Sequence, residues 1–411
     1  DRAAQEPRRG VHRRRMSMRH IDDAERRSRL AVRHGLHPDH RLADPLAATR
    51  AMTVLHATEP PTVHLSVRAR TAGVSADDVE HALYEERSLV KQIAMRRTLF
   101  VFPRDLLPAA LGSAAARVAA EQRRLITRDV ERHDVAEDGA AWLEAATRAV
   151  LAHLAGSGPL SARELREQVP ELTGTFTVSP EKRYGGTFQI APRVLTVLGA
   201  EGRITRGRNA GHWRLGRPTW TLTEAWLGER PEPLGPEEGY AEIVRRWLRT
   251  FGPGTLEDIQ WWLGSTKTAV RAALAAVDAV EVGLDGGRTG WVLPDDLDPV
   301  EPPGPWAALL PTLDPTTMGW KGRDFYLDPA DVRYLFDTNG NAGNTAWWDG
   351  RIVGAWVQDD DGVVHVVLHR DIGAEGRATL DAEAARLTEW LDGVRISNVY
   401  ASHLMRQARL P

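Results

Sequence analysis

Guanidinium, ammonium and imidazole groups on hairpin-like runs are the side chains best arranged for chemistry in this sequence, and that chemistry is anion binding. Arg206, Arg208 and His212 fall in a run from Ile204 to Leu215 that reads as a wing. Lys91, Arg96 and Arg97 fall in an alternating, β-rich run from Lys91 to Phe102. Wing tips commonly reach a phosphate backbone, and arginine meets phosphate with paired hydrogen bonds. Lys182, Arg183 and Arg193 flank one candidate recognition helix, and Lys267 and Arg271 lie on another. The competing reading for each is an ordinary solvated charge.

Other site chemistries are poorly represented. His365 and His369 lie four apart on a strand-like run, but no third ligand accompanies them and a zinc site is not expected. The sequence has no Cys, which removes disulfides and thiolate ligands. There is no Walker loop, no Rossmann glycine set and no HExxH motif, so neither metal nor cofactor is expected.

The elements that would position these groups repeat. Between about Gly139 and Leu222, three apolar-periodic segments (Trp142–Ala155, Ser161–Gln168, Gln189–Ala200) precede the wing at 204–215. Between about Glu237 and Leu293 the order recurs as Tyr240–Phe251, Leu256–Leu263, Thr266–Val277 and a wing at Val280–Leu293. This is the pattern of a winged helix-turn-helix, whose third helix is sized for a major groove. A looser copy is expected upstream. There Asp22–Gly35 is amphipathic, Asp44–Leu55 follows an Asp cap, Ser75–Tyr84 opens with a capping-box start, and a hairpin follows over 91–102. A long helix over Pro108–Val130 should lead into the second unit. After the linker at 231–236 and the ProProGlyPro at 302–305, the chain reads mostly as short strands: Trp306–Leu310, Asp324–Leu327, Asn344–Trp347, Arg351–Gln358 and Val363–Leu368. One helix, Leu380–Leu391, and a final strand complete it.

The expected fold class is therefore α+β: three tandem winged helix-turn-helix units followed by a small C-terminal β-barrel-like domain. The boundaries are a disordered basic leader at 1–17, units at 18–135, 136–232 and 233–303, and the last domain at 304–411. The leader lacks an apolar core segment, so it is not read as a secretory signal, and Met16 or Met18 is the suspected start. No apolar run approaches the roughly 18–20 residues that span a bilayer.

Net charge is −3, but its distribution is uneven. Residues 87–104 carry five bases and no acid, and 181–217 carry eight bases against two acids. Residues 281–301 carry six acids and one base, so the last wing is a poor phosphate binder. The 14 Trp, among them Trp213, Trp220, Trp226, Trp261, Trp262 and Trp291, are read mainly as packing residues.

Three stretches in this order resemble the AlkZ/YcaQ-type winged-helix DNA glycosylases of bacteria. They are LVKQIAMRRTLFVFP from Leu89 to Pro103, the tandem winged units, and LLPTLDP from Leu309 to Pro315 with WWDGRIVGAW beyond it. The resemblance implies three winged units and a barrel around a DNA-sized channel. It also implies a catalytic Gln-x-Gln or Gln-x-Asp just after the second N-terminal helix. At that place this chain reads His56-Ala57-Thr58, and neither Gln is present. The resemblance thus implies His56 as base or water-orienter and Thr58 as its partner. The role suits the residues, because a neutral imidazole accepts a proton and a hydroxyl both donates and accepts. A pair at i and i+2 in extended geometry also faces one way. Glu59, beside them, is the alternative carboxylate. Asp314 belongs to the third stretch and is read first as a turn residue.

The activity expected is a monofunctional DNA glycosylase that hydrolyses the N-glycosidic bond of alkylated or cross-linked purines. Its partner would be damaged double-stranded DNA, bound as a monomer in the cytoplasm and associated with the nucleoid. The alternative is a non-enzymatic tandem winged-helix DNA-binding protein or transcription regulator. Such regulators usually dimerise on symmetric half-sites.

Overall fold

The structure, a computed structural model, describes residues 18–178 and 186–408. It is α+β, and one local order is written three times: helix, short strand or bridge, helix, helix, hairpin. In the first copy Asp44 caps the helix Pro45–Ala51 by accepting from the Ala47 amide. The strand Leu55–His56, the helix Pro60–Arg68 and the helix Ala76–Tyr84 follow, the last opened by a reciprocal Ser75–Asp78 capping box. The hairpin Leu89–Ala94 and Thr98–Pro103 closes the unit, with Leu55–His56 antiparallel to its second strand.

The second copy runs Gly139–Ser157, Leu160–Ser161, Ala162–Gln168, Ala191–Ala200, then the hairpin Ile204–Asn209 and Pro218–Leu222. The third runs Pro236–Phe251, a single bridge from Gly254 to Trp291, Leu256–Leu263, Lys267–Ala276, then Val280–Leu284 and Arg288–Val292. His20–Ile21 adds a parallel strand to this last hairpin, so the start of the described chain joins the third copy rather than the first.

Several expectations need correction. The helix expected over 108–130 is two helices, Leu107–Gly112 and Ala114–Arg132, broken at Ser113. The break lets the 231–236 linker cross closely: a Cβ on Gly112 would stand 1.9 Å from the Leu234 carbonyl oxygen. Asp324–Leu327 is a turn, because Phe325, Tyr326 and Leu327 are all buried and a strand would expose alternate residues. The second copy also holds an unanticipated hairpin, Thr175–Val178 with Gly186–Gln189.

The C-terminal sheet is not a barrel. Ala307–Leu310, Thr345–Trp348, Arg351–Gln358 and Val364–Leu368 form an open antiparallel sheet in sequence order. Four strands are too few to close, and the apolar face is covered instead by the helix Gly373–Leu391. Leu380, Ala384, Leu387 and Leu391 pack there against Leu309, Val353 and Trp356. The final strand is replaced by irregular chain and the short helix His403–Arg406.

The first copy, the third copy and the C-terminal region share one apolar core, while the second copy has its own. A buried polar network also ties the three together. His34 Nδ1 meets Thr316 Oγ1 at 2.9 Å and His34 Nε2 meets the Thr250 carbonyl at 3.1 Å. Thr250 in turn meets Thr53 at 2.9 Å. Thr53 immediately precedes the segment that carries His56, so the network fixes the approach to that residue.

Candidate functional site

His56 ends a two-residue strand and pairs with Phe100, whose ring it meets edge-on at 5.3 Å. Only 8% of the residue is exposed, and Nδ1 is sealed from solvent without a hydrogen-bond partner. Nε2 is not sealed in this way. Burial, and secondarily the Arg96 charge, push the ring pKa down to about 3. The imidazole is therefore neutral at any physiological pH and is a weak base.

The strand does not continue. Thr58 and Glu59 form a bend ahead of the helix Pro60–Arg68, whose two leading prolines fix its start. The i, i+2 alternation expected of an extended pair is lost there: the imidazole is enclosed and the Thr58 side chain is exposed. Glu59 is half-buried, makes no cap hydrogen bond, and has its pKa raised by burial. The Tyr400 hydroxyl lies near enough to Glu59 and Asp337 for both carboxylates to reinforce the rise in its pKa that burial begins.

Arg96 and Arg97 form the turn of the first hairpin, both at positive φ. Arg96 stacks on Trp261 at 4.3 Å and packs against Gly264, where a Cβ would stand 2.7 Å from its Cγ. Gly264 also ends its helix at φ 62, so glycine is required there twice over. Arg97 reaches Gln122 only weakly, at 3.5 Å. Arg323 faces the same indole from the C-terminal region at 5.3 Å. The residue is exposed on its turn, but enclosure of its charged end by neighbouring atoms, then the nearby Arg323 charge, lower Arg96 to about 10.

Lys91 belongs to the other face of this sheet. It pairs with Val101 opposite Leu55, whereas His56, Phe100 and Gln92 form the neighbouring row. Its Nζ donates to the Tyr84 hydroxyl at 2.7 Å, and burial lowers its pKa to about 8. Arg206 stacks on Trp220 at 5.2 Å, and Arg208 pairs with Glu85. His64 is buried, bonded to Glu80 at 2.9 Å and stacked on Trp213 at 4.8 Å. Trp213 also meets Trp390 edge-on at 5.8 Å, so the second copy's loop touches both the first copy and the C-terminal helix. Gly216 of the same loop comes within reach of Pro60. His212 is exposed beside Trp213.

The remaining candidates are dispersed. Lys267 is exposed and paired with Glu257 at 3.1 Å, and Arg271 is exposed on the same helix. Lys182 and Arg183 lie outside the described residues. His365 and His369 are each held by their own carboxylate, Asp359 at 2.6 Å and Asp331 at 3.1 Å. Among the described residues no group of three or more His, Asp or Glu could hold a metal.

Sequence reading missed Arg323, Trp261 as a stacking surface, and Tyr400. Only their placement by three separate parts of the chain brings them to the His56 end of the molecule, so no local pattern could signal them. Of the six Trp read as packing residues, Trp220 and Trp262 are buried, while Trp213, Trp226, Trp261 and Trp291 remain partly exposed.

With this geometry in place, the comparisons are direct. The family model described as DNA glycosylase AlkZ-like matches residues 49–390. The solved structure of Streptomyces sahachiroi DNA glycosylase AlkZ superposes with a TM-score of 0.72 at 20% identity, covering 92% of this chain and 98% of that one. At that identity the likeness is one of fold. No curated protein matches the chain.

Proposed function

Because the chain belongs to the AlkZ-like DNA glycosylase family, we propose that it hydrolyses the N-glycosidic bond of alkylated or cross-linked purines in double-stranded DNA. The three repeated units are read as winged helices that grip the duplex. Arg206, Arg208 and His212 on the second hairpin and Arg96 and Arg97 on the first are the leading phosphate contacts, with Lys182, Arg183, Lys267 and Arg271 as further ones, while Lys91, buried against Tyr84 on the other face, is the weakest of the set.

An N7- or N3-alkylated purine is already cationic, so its departure needs little acid catalysis. The bond from C1′ to the purine breaks with both electrons going to the base, which leaves neutral. The sugar becomes an oxocarbenium ion, and water adds to C1′ and releases a proton. The protein must therefore place a water and stabilise positive charge. Thr58 offers an exposed hydroxyl to hold the water, while His56, enclosed and neutral, supports the segment from behind rather than acting as the base. Glu59 supplies the negative charge and accepts the proton, for which burial has made it more basic than an ordinary carboxylate. The reaction ends at the abasic site.

The observation that carries this reading is the Thr58–Glu59 edge, an exposed hydroxyl beside a half-buried carboxylate without a capping bond. The enclosure of His56 favours the alternative, a non-enzymatic duplex binder. The deciding experiment measures release of 7-methylguanine from alkylated duplex by wild type, His56→Ala, Thr58→Ala and Glu59→Gln. Release by wild type that drops in these variants supports the hydrolase. Stable duplex binding with no release supports the binder.

A further inference from the structure

Two guanidinium groups share one indole with no carboxylate between them. Arg96 lies 4.3 Å from the centre of the Trp261 ring and Arg323 lies 5.3 Å from it, while Arg323 also covers Phe336 at 4.6 Å. By contrast, Arg29 and Arg33 share the carboxylate of Asp296. The one charge among the described residues that shifts Arg96 is that of Arg323. Among the described residues neither cation has a carboxylate within ion-pair distance. Arg323 reaches the Met318 sulfur at 4.0 Å and the Tyr326 hydroxyl, both uncharged, and its Nε is sealed without a partner.

The arrangement is held against two costs. The like charges repel, and Arg96 occupies the left-handed region at φ 56, which disfavours a non-glycine residue. Gly264 and Trp261 of the third copy keep it there. Stacking orients both guanidiniums while leaving their N–H edges free for an acceptor.

We propose that Arg96 and Arg323 together bind one backbone phosphate of the duplex, so that a single phosphodiester bridges the first copy and the C-terminal region beside His56. The assignment rests on the glycosylase reading only in taking DNA as the source of the phosphate. A phosphodiester offers two unesterified oxygens, one for each guanidinium, and its charge removes the repulsion between them.

The test uses the full chain and an undamaged fluorescent duplex, so excision plays no part. Arg323→Met keeps the bulk over Trp261 and removes the charge. It should weaken binding about tenfold or more, as expected for losing a charge-assisted contact. It should also reduce the slope of log affinity against log salt by about 0.9. Arg96→Gln should do the same, and the double variant should lose less than the product of the two, because both cations serve one phosphate. Thermal stability without DNA should hold or rise. Should Arg323→Met fail to fold, Arg96→Gln on the exposed turn carries the same readout. Wild-type affinity and slope in a folded single variant would overturn the assignment alone, whereas a wild type that binds no duplex would overturn it together with the parent reading. If inorganic phosphate at matched ionic strength stabilises wild type but not Arg323→Met, the pair takes free phosphate and the backbone assignment fails.

Discussion

Arg70 and Asp314, 244 residues apart, form a two-point ion pair from which solvent is fully excluded, with N–O distances of 2.7 and 2.9 Å. Ser66 and Thr316 complete the hydrogen bonds of the carboxylate, and Arg70 also bonds the Ser66 carbonyl at 2.8 Å. The pair locks the helix that follows Thr58 onto the segment that leads to Arg323. Asp314 is thus more than a turn residue, although it does cap the short helix Pro315–Met318.

Removing one partner leaves a buried charge unpaired. Asp314→Ala should therefore cost about 3–5 kcal/mol in denaturant unfolding. Replacing both residues by apolar ones of similar volume should cost less than the single change. An Asp314→Ala protein as stable as wild type would show that the pair does not hold these parts together.

Three buried imidazoles make the fold acid-labile. Burial leads the lowering of His34, His56 and His64, with the Glu80 hydrogen bond only partly opposing it at His64. Each stays neutral in the folded state at pH values where the unfolded chain already takes up a proton. Stability is therefore complete above the unfolded value of about 6.5 and falls as pH drops below it, until the folded value is reached. For His56 that window runs down to about 3. The slope should be about 1.4 kcal/mol per pH unit for each group while the window lasts. His56→Gln should flatten the acid limb of an unfolding-versus-pH series, and an unchanged limb would mean the ring is solvated.

The same neutrality bears on turnover. Base release should show no His56-dependent inflection between about pH 5 and 8, the range where an ordinary histidine titrates. A step near 6.5 that disappears in His56→Ala would make the imidazole a proton acceptor after all. Glu59→Gln should slow release about 100-fold, within the usual range for losing a general base, and Thr58→Ala less.

The second hairpin is predicted to be a binding element with a structural anchor. Arg206 is stacked on Trp220 and forms no ion pair among the described residues, so Arg206→Gln should weaken duplex binding and lower the salt slope by about 0.9. Trp213→Ala should release the loop from His64 and Trp390 and raise hydrogen exchange at 210–217. Equal exchange in that loop would show that the stacking does not fix it.

Local signals carried much of the architecture. Ser75, Ser161 and Thr255 each sit three residues before an acid, and all three form the reciprocal capping box that starts a helix. Apolar periodicity located the helices of the second and third copies within a few residues, because one buried face per helix leaves a record at fixed spacing. The same logic failed where burial is not periodic. Phe325, Tyr326 and Leu327 are enclosed from every side, which resembles a strand in composition while being a turn. Several short alternating strands suggested closure, and only their pairing as an open four-stranded sheet, with the helix Gly373–Leu391 packed across it, shows otherwise.

The order of helices and hairpins, the caps, the basic character of the first two hairpins and the odd tripeptide at 56–58 are written in the sequence by itself, since each depends on neighbours within a few positions. The tertiary structure alone decided that His56 turns inward while Thr58 turns outward, that Arg323 meets Arg96 across Trp261, and that Arg70 finds Asp314. Those outcomes depend on desolvation and charge between groups hundreds of residues apart, and no local pattern encodes which surfaces will be brought face to face.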